Sequence, residues 1–403
     1  MDSLSRTLLL LIAVAMTAFL PAHPARAEDQ GQSKLNLDLR YRYEFVDQDG
    51  FTKDAHASTL RTRLAYRSAD FSSLGLLIEF DDLRPVGNDL YNSTRNGISD
   101  RPVVADPKGA QINQAMILFR GFENTVIRAG RQRITLDNHR FVGDVGWRQN
   151  DQTYDAFSLT NTSLAKTTIE YAYIDKVNRI FGPDSGMPAA DFQSDSHILH
   201  AKYAWLPNWD VTAYAYFLDL EDSPTLSNKT VGIRINGRHM LNDRVSAGYV
   251  LEYAHQNNHG DSPNHYSADY ILLEGALSTG GITGKLGYEV LGGGTNQAFQ
   301  TPLATLHAFQ GWADRFLVTP ADGIEDLYFS IATKIHGGNV ALLYHRFSPE
   351  MGGPKYGNEW DLVVKKPLAK RFALVFKYAS YDARSLGTDT EKAWVMLTAN
   401  FGD

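Results

Sequence analysis

The chain has 403 residues, a formal net charge of −7 and no cysteine. The missing thiols exclude disulfides and thiolate metal centres, and the missing basic excess argues against a nucleic-acid partner. A mean hydropathy of −0.30 does not argue against a membrane, because only alternate residues of a barrel strand face lipid.

The N-terminus carries Arg6, an apolar run from Leu8 to Leu20, and Ala25-Arg26-Ala27. This pattern predicts a secretory signal peptide, residues 1–27, cut after Ala27. The run is shorter than the ~20 residues a spanning helix needs. Residues 28–403 would then be the mature protein, and no other stretch is apolar and long enough to span as a helix.

The first segment after it is the clearest. Leu35, Leu37, Leu39, Tyr41, Tyr43 and Phe45 alternate with Asn36, Asp38, Arg40, Arg42 and Glu44. A period of two makes a strand with one apolar and one charged face. The same rhythm returns at Leu60 to Arg67, Leu74 to Asp81, Thr167 to Tyr173, Leu199 to Trp205, Val231 to Ile235, Tyr249 to Tyr253, Leu286 to Val290 and Phe372 to Tyr378. In all, about eighteen strands are expected, starting near 35, 58, 71, 110, 124, 146, 165, 194, 208, 228, 243, 266, 281, 324, 338, 357, 370 and 390. The facing of 110–121, 124–133 and 266–277 stays open. Connections alternate short and long along the chain, with long ones at 47–57, 83–109, 134–145, 177–193, 221–227, 257–265, 293–323, 349–356 and 382–389. The predicted fold class is therefore all-β: a transmembrane antiparallel up-and-down barrel with short periplasmic turns and long extracellular loops. The last strand, with Ala393, Val395, Leu397, Ala399 and Phe401 on one face, resembles the terminal strand by which such barrels are recognised for assembly.

Inside such a barrel the polar face meets water. Alternation turns Arg40, Arg42, Arg61, Arg63 and Arg67 inward, and Arg128, Lys202, Arg234 and Lys377 extend this basic set. Arg131 and Arg133 join it at the end of their strand, with their facing open. Guanidinium groups pair both oxygens of a carboxylate, so the set forms a candidate pathway for anions. The competing reading is structural: Glu44, Glu79, Asp81, Glu170, Glu252 and Glu289 face inward by the same alternation and would neutralise the arginines.

The 293–323 loop is the candidate gate. Leu303, Leu306, Phe309, Ala313, Phe316 and Leu317 have near-helical spacing, which predicts a short amphipathic helix. Thr301, Pro302, His307, Trp312 and Asp314 would line or position it; a folded extracellular cap is the alternative. Loop 83–109 is also long enough to enter the lumen. His255, His259, Asp261 and His265 share one loop but read as solvated side chains, so no metal is expected, and no cofactor. Gly292-Gly293-Gly294 lacks the Lys-Ser/Thr of a phosphate loop, and no nucleophile-elbow context surrounds any serine, so no catalytic residue is assigned.

Two stretches carry a family resemblance. One is Gly130-Arg131-Gln132-Arg133 followed by Asp137–Gly143 and Trp147. The other runs through Phe299–Leu303, Thr305–Asp314, Thr319-Pro320 and Gly323–Asp326. Together they resemble the alginate export family of outer-membrane barrel porins, over essentially the whole mature chain. Gly402 and Asp403 after Phe401 depart slightly from the usual terminal aromatic. The resemblance implies eighteen strands and an arginine-lined pathway for an anionic, alginate-like polysaccharide in the outer membrane of a Gram-negative bacterium. The expected partners are outer-membrane lipid, the anionic polysaccharide or a small anionic solute, and periplasmic secretion or barrel-assembly proteins. A small-solute uptake porin on the same barrel is the alternative. An outer-membrane enzyme such as a lipase would need a Ser/His pair at the lipid-facing wall, which no spacing here suggests.

Overall fold

The computed structural model describes residues 32–402, and the expected signal peptide lies outside them. The strands are β1 (Lys34–Gln48), β2 (Ala55–Arg67), β3 (Leu74–Pro85), β4 (Gly109–Phe119), β5 (Thr125–Gln132) and β6 (Thr153–Asn161). Then come β7 (Thr167–Asn178), β8 (Asp191–Leu206), β9 (Trp209–Leu218), β10 (Asn228–Met240), β11 (Val245–Asn258) and β12 (Ser267–Thr279). The last are β13 (Ile282–Leu291), β14 (Ile324–Ile335), β15 (Gly338–Ser348), β16 (Gly357–Ala369), β17 (Phe372–Ala383) and β18 (Thr390–Gly402). Each pairs antiparallel with its chain neighbours, and β1 pairs with β18 from Asn36 opposite Gly402 to Gln48 opposite Thr390. The eighteen-stranded sheet is thus closed. Closure removes the unpaired edge that hydrocarbon cannot solvate.

Side chains follow the expected alternation. On neighbouring β11 and β12, Leu251 and Leu273 stand opposite each other on the outer face, 46% and 48% exposed. Between them Glu252 and Leu272 turn inward and are buried. Of the segments whose facing the sequence left open, β12 turns Ala268, Tyr270 and Leu272 inward. In β4 the phase breaks at a register shift opposite Glu79 and Phe80, which buries Asn113 and Gln114 in succession. That bulge is why no single alternation fits residues 110–121.

Two expectations need correction. The sixth strand starts at Thr153, not near 146; residues 149–152 are instead all buried, as a folded loop. Four consecutive polar side chains cannot each find a partner on a two-faced strand, but a loop enclosed by the barrel offers partners on every side. Second, the amphipathic helix is a single 3-10 turn, Leu306–Ala308. Positive φ at Gln310, Gly311 and Asp314 prevents a continuous helix, and the apolar residues pack at separate places: Leu303 bridges to Val142, while Phe316 packs on Phe347, Tyr356 and Tyr381.

Burial of the inward face is uneven along the barrel. In β1 the inward residues Arg40, Arg42, Glu44 and Val46 are buried, and Asn36 and Asp38 are not. In β8 Phe192, Ser194, Ser196, Ile198 and His200 are buried, and Lys202 is exposed. In β12 burial stops after Leu272. Each buried set lies toward the long-loop end, so the lumen is filled there and open toward the short-turn end. Leu251→Arg, on the lipid face at mid-strand, should cost about 2–4 kcal/mol, whereas Ala276→Glu on the inward face beside Lys285 should stay within about 0.5 kcal/mol. Guanidinium unfolding in lipid vesicles would measure both, and equal losses would contradict the assigned faces.

Candidate functional site

Two loops fill the lumen: residues 133–152 between β5 and β6, and residues 292–323 between β13 and β14. They hold each other through backbone groups and the Gln152 side chain. Gly143 N donates to Leu303 O at 2.9 Å, Thr305 N donates to His139 O at 3.0 Å, and Gln152 Nε2 donates to Leu303 O at 3.0 Å. The β3–β4 loop enters too, where Gln149 N donates to Asp106 Oδ1 at 2.9 Å. Gly130 opens the first insertion. Its φ is +119°, and a Cβ there would lie 2.3 Å from Ala115 O, so only glycine lets β5 run this close to β4 before the chain turns inward.

Side chains of β17, β18 and β1 lock this plug. His307 Nδ1 donates to Asp314 Oδ1 at 2.7 Å, and Lys377 Nζ donates to His307 Nε2 at 2.7 Å. Asp314 also receives Lys392 Nζ at 2.7 Å and Arg148 Nη2 at 3.1 Å. The Lys377 ammonium lies 3.7 Å from the Trp312 ring centre and 4.1 Å from that of Trp147, and Trp147 stacks on His307 at 4.4 Å. Such cation–π contacts strengthen once desolvated. Glu44 accepts from Arg42 at 2.7 Å and Arg148 at 3.1 Å. Across the lumen, Arg140 meets Glu289 at 2.8 Å and lies 4.6 Å from the Phe309 ring centre. Glu359 of β16 accepts from Ala313 N at 2.7 Å, and a Cβ on Gly311 would lie 2.3 Å from its carboxylate.

The pathway residues expected from sequence divide into groups. Arg61 pairs with Asp38 at 2.6 Å, Arg63 with Asp81 at 2.6 Å and Asp151 at 2.9 Å, and Lys202 with Asp210 at 2.9 Å. Arg133 reaches Glu79 and Asp151, and Arg234 reaches Glu252. Arg131 stands on the face opposite Arg128 and Gln132; it grips Asp155 at 2.7 Å and donates to Ile112 O at 3.2 Å, tying β6 to β4 where β5 has ended. Four of the set have no carboxylate within ion-pair distance among the described residues. Arg40 is taken by the plug, through Gln149 Oε1 at 2.8 Å and the carbonyls of Gly146 and Arg148. Lys377 is taken by His307. Arg128 donates only to Thr160 Oγ1 at 3.0 Å, and Arg67 is exposed. Of the gate set, Thr301 and His307 are buried, Pro302 and Trp312 half-buried, and the Asp314 carboxylate is 4% exposed. The loop therefore sits within the wall.

Sequence reasoning missed Arg140, Arg148, Lys392 and Trp394. Arg140 and Arg148 lie in and next to the first motif, where no alternation assigns a direction. Lys392 and Trp394 alternate inward on β18, whose apolar outer face drew the attention.

Recesses remain beside the plug. One of about 280 Å³ is bounded by Arg128, Arg133, Thr135, Thr160, Glu170 and Ile198. A second, toward the short-turn end, measures about 390 Å³ and is bounded by Arg67, Arg120, Arg128 and apolar side chains. A third, at the long-loop end, measures about 110 Å³ and has Arg140, Arg179, Thr301, Pro302 and Gln310 in its wall.

The model of the family described as alginate export matches residues 32–264. No curated protein matches significantly. Among solved structures, OccAB2 of Acinetobacter baumannii superimposes with a TM-score of 0.74 at 16% identity, covering 93% of this chain and 100% of that one. OccAB4 of the same species gives 0.72 at 15% identity, over 94% and 100%. OpdK of Pseudomonas aeruginosa, solved with vanillate, gives 0.69 at 14% identity, over 92% and 99%.

Burial pushes the His307 imidazole from its ordinary 6.5 down to about 3, against the opposing pull of Asp314. A released loop binds a proton near 6.5 that the locked loop refuses, so locking is fully favoured above that pH and weakens as pH falls toward about 3. Single-channel traces should be noisier and reach higher conductance at pH 4 than at pH 7; identical traces would contradict the lock. Asp314→Asn leaves three donors without their carboxylate and should cost about 3–5 kcal/mol in guanidinium unfolding.

Proposed function

We propose, from the premise that the chain belongs to the alginate export family, that it is an outer-membrane channel passing anionic solutes along one side of a plugged lumen. The carrying observation is the placement of cations. Each of the three recesses has arginine in its wall, and Arg128, shared by two of them, lacks a carboxylate partner. A cation without a fixed counter-ion, facing water in a low-dielectric wall, raises the local concentration of anions. The paired residues Arg61, Arg63, Arg133 and Arg234 brace the wall and the plug instead.

The plug bears on the size of the solute. It is tied to β1, β13, β16, β17 and β18 by buried polar contacts. What stays open is a series of small recesses, which suits a monomer or short oligomer. Passage of an anionic polyuronate is the second reading, favoured by the family match; it requires the 292–323 loop to move as a gate.

Reversal potentials of single channels in a salt gradient test the first reading: anion preference is expected, and the Arg67→Ala/Arg128→Ala pair should reduce it at least about two-fold. Cation preference of the unmodified channel would sink it. Glucuronate should carry measurable current, and block without passage by oligouronates would assign the channel to small anions.

A further inference from the structure

The wall of β2 to β5 toward the short-turn end combines apolar side chains with arginines. Arg67, Leu77, Met116, Leu118, Val126 and Arg128 all turn inward there, with Arg120 just beyond β4. They follow one another across adjacent strands: Arg67 is opposite Leu77, Leu77 opposite Met116, and Leu118 opposite Arg128. Strands lie ~4.8 Å apart, so the arginines of β2 and β5 flank an apolar floor about three strands wide. Leu118, at its centre, is 5% exposed. The recess they line measures about 390 Å³.

The charges in this recess are unevenly committed. Arg120 is held by Asp70, at 2.8 Å to both carboxylate oxygens. Arg128 donates to a threonine hydroxyl, and Arg67 makes no side-chain hydrogen bond or ion pair among the described residues. By contrast, Arg63 further along the same strand is braced by Glu79, Asp81 and Asp151. Four apolar side chains, Leu77, Met116, Leu118 and Val126, line this recess beside the two uncommitted arginines. An apolar floor rimmed by two uncommitted guanidinium groups is complementary to a solute with the same division.

We infer that this recess is a binding subsite, on the periplasmic side of the plug, for organic carboxylates with an apolar flank. The carboxylate pairs with Arg128 or with Arg67 at the rim, and the flank lies over Leu77, Met116 and Val126, with Leu118 beneath them. The inference rests on the anion-channel reading and deepens it by naming the solute class. Inorganic anions would meet the arginines but gain nothing from the floor, so the subsite discriminates by the body that carries the charge.

The test is block of single-channel current by cyclohexanecarboxylate, acetate and inorganic phosphate, each added separately to either side of a bilayer holding the full barrel. Cyclohexanecarboxylate should block at a concentration at least about ten-fold lower than acetate or phosphate, and more strongly from the periplasmic side. Met116→Gln should remove most of that advantage over acetate, and the Arg67→Ala/Arg128→Ala pair should weaken block by all three. Equal block by the three anions, no side preference, or block indifferent to both variants would overturn the subsite. The reversal potential of the unmodified channel separates the two levels: anion preference without selective block removes only the subsite, whereas cation preference removes the channel reading and the subsite with it.

Discussion

The whole molecule follows from one constraint, that a backbone crossing hydrocarbon must satisfy every amide within the chain. Pairing β1 with β18 meets it by closing the sheet. A closed sheet forces each strand to show one face to lipid and the other to the interior, which is why period two governs the sequence from Leu35 to Phe401. The interior of so wide a barrel is too large for side chains alone to fill. It becomes a second, polar core, and it obeys the rules of burial: ions pair, backbone groups find partners, and loops rather than strands supply the filling.

That distinction explains what was legible in the chain. Strand faces are fixed by a local rhythm, so the inward set Arg40, Arg42, Arg61, Arg63 and Arg234 follows from counting. The contacts that define the site are not local. Asp314, His307, Arg148 and Lys392 meet across as many as 166 positions of sequence, and no pattern in any one segment records the meeting. The near-helical spacing of Leu303 to Leu317 misled for the same reason: each apolar residue answers a different part of the wall. Residues 146–152 look like the start of a strand in sequence because their partners lie inside the barrel, where no local pattern records them. Arg131 shows the limit in the other direction. Its type and position suit the basic pathway, but the end of β5 leaves a carbonyl on β4 unpaired, and Arg131 serves it from the opposite face.

An aqueous interior also explains why the plug is anchored by ions and indoles. Simple apolar packing would demand a large dry surface, which a lumen that admits solute cannot offer everywhere. Asp314 gathers three donors at one point, and Trp147 places its ring against both His307 and Lys377. Burial of this cluster carries a large desolvation cost, and what it provides is one arrangement of two loops that touch no continuous sheet of their own.

The absence of a carboxylate partner is therefore not enough to assign a cation to conduction. Arg40 and Lys377 lack one as Arg67 and Arg128 do, yet the first two are buried and spent on the carbonyls, histidine and tryptophans of the plug. The difference is where each stands. Arg40 and Lys377 stand where the loops are seated on β1 and β17, while Arg67 and Arg128 border recesses nearer the short-turn end of β2 to β8. A barrel that divides its inner wall in this way can hold a rigid plug and still leave a path. On the anion-channel proposal, charge selectivity would be set by the arginines the plug does not use, rather than by the total charge of the lumen.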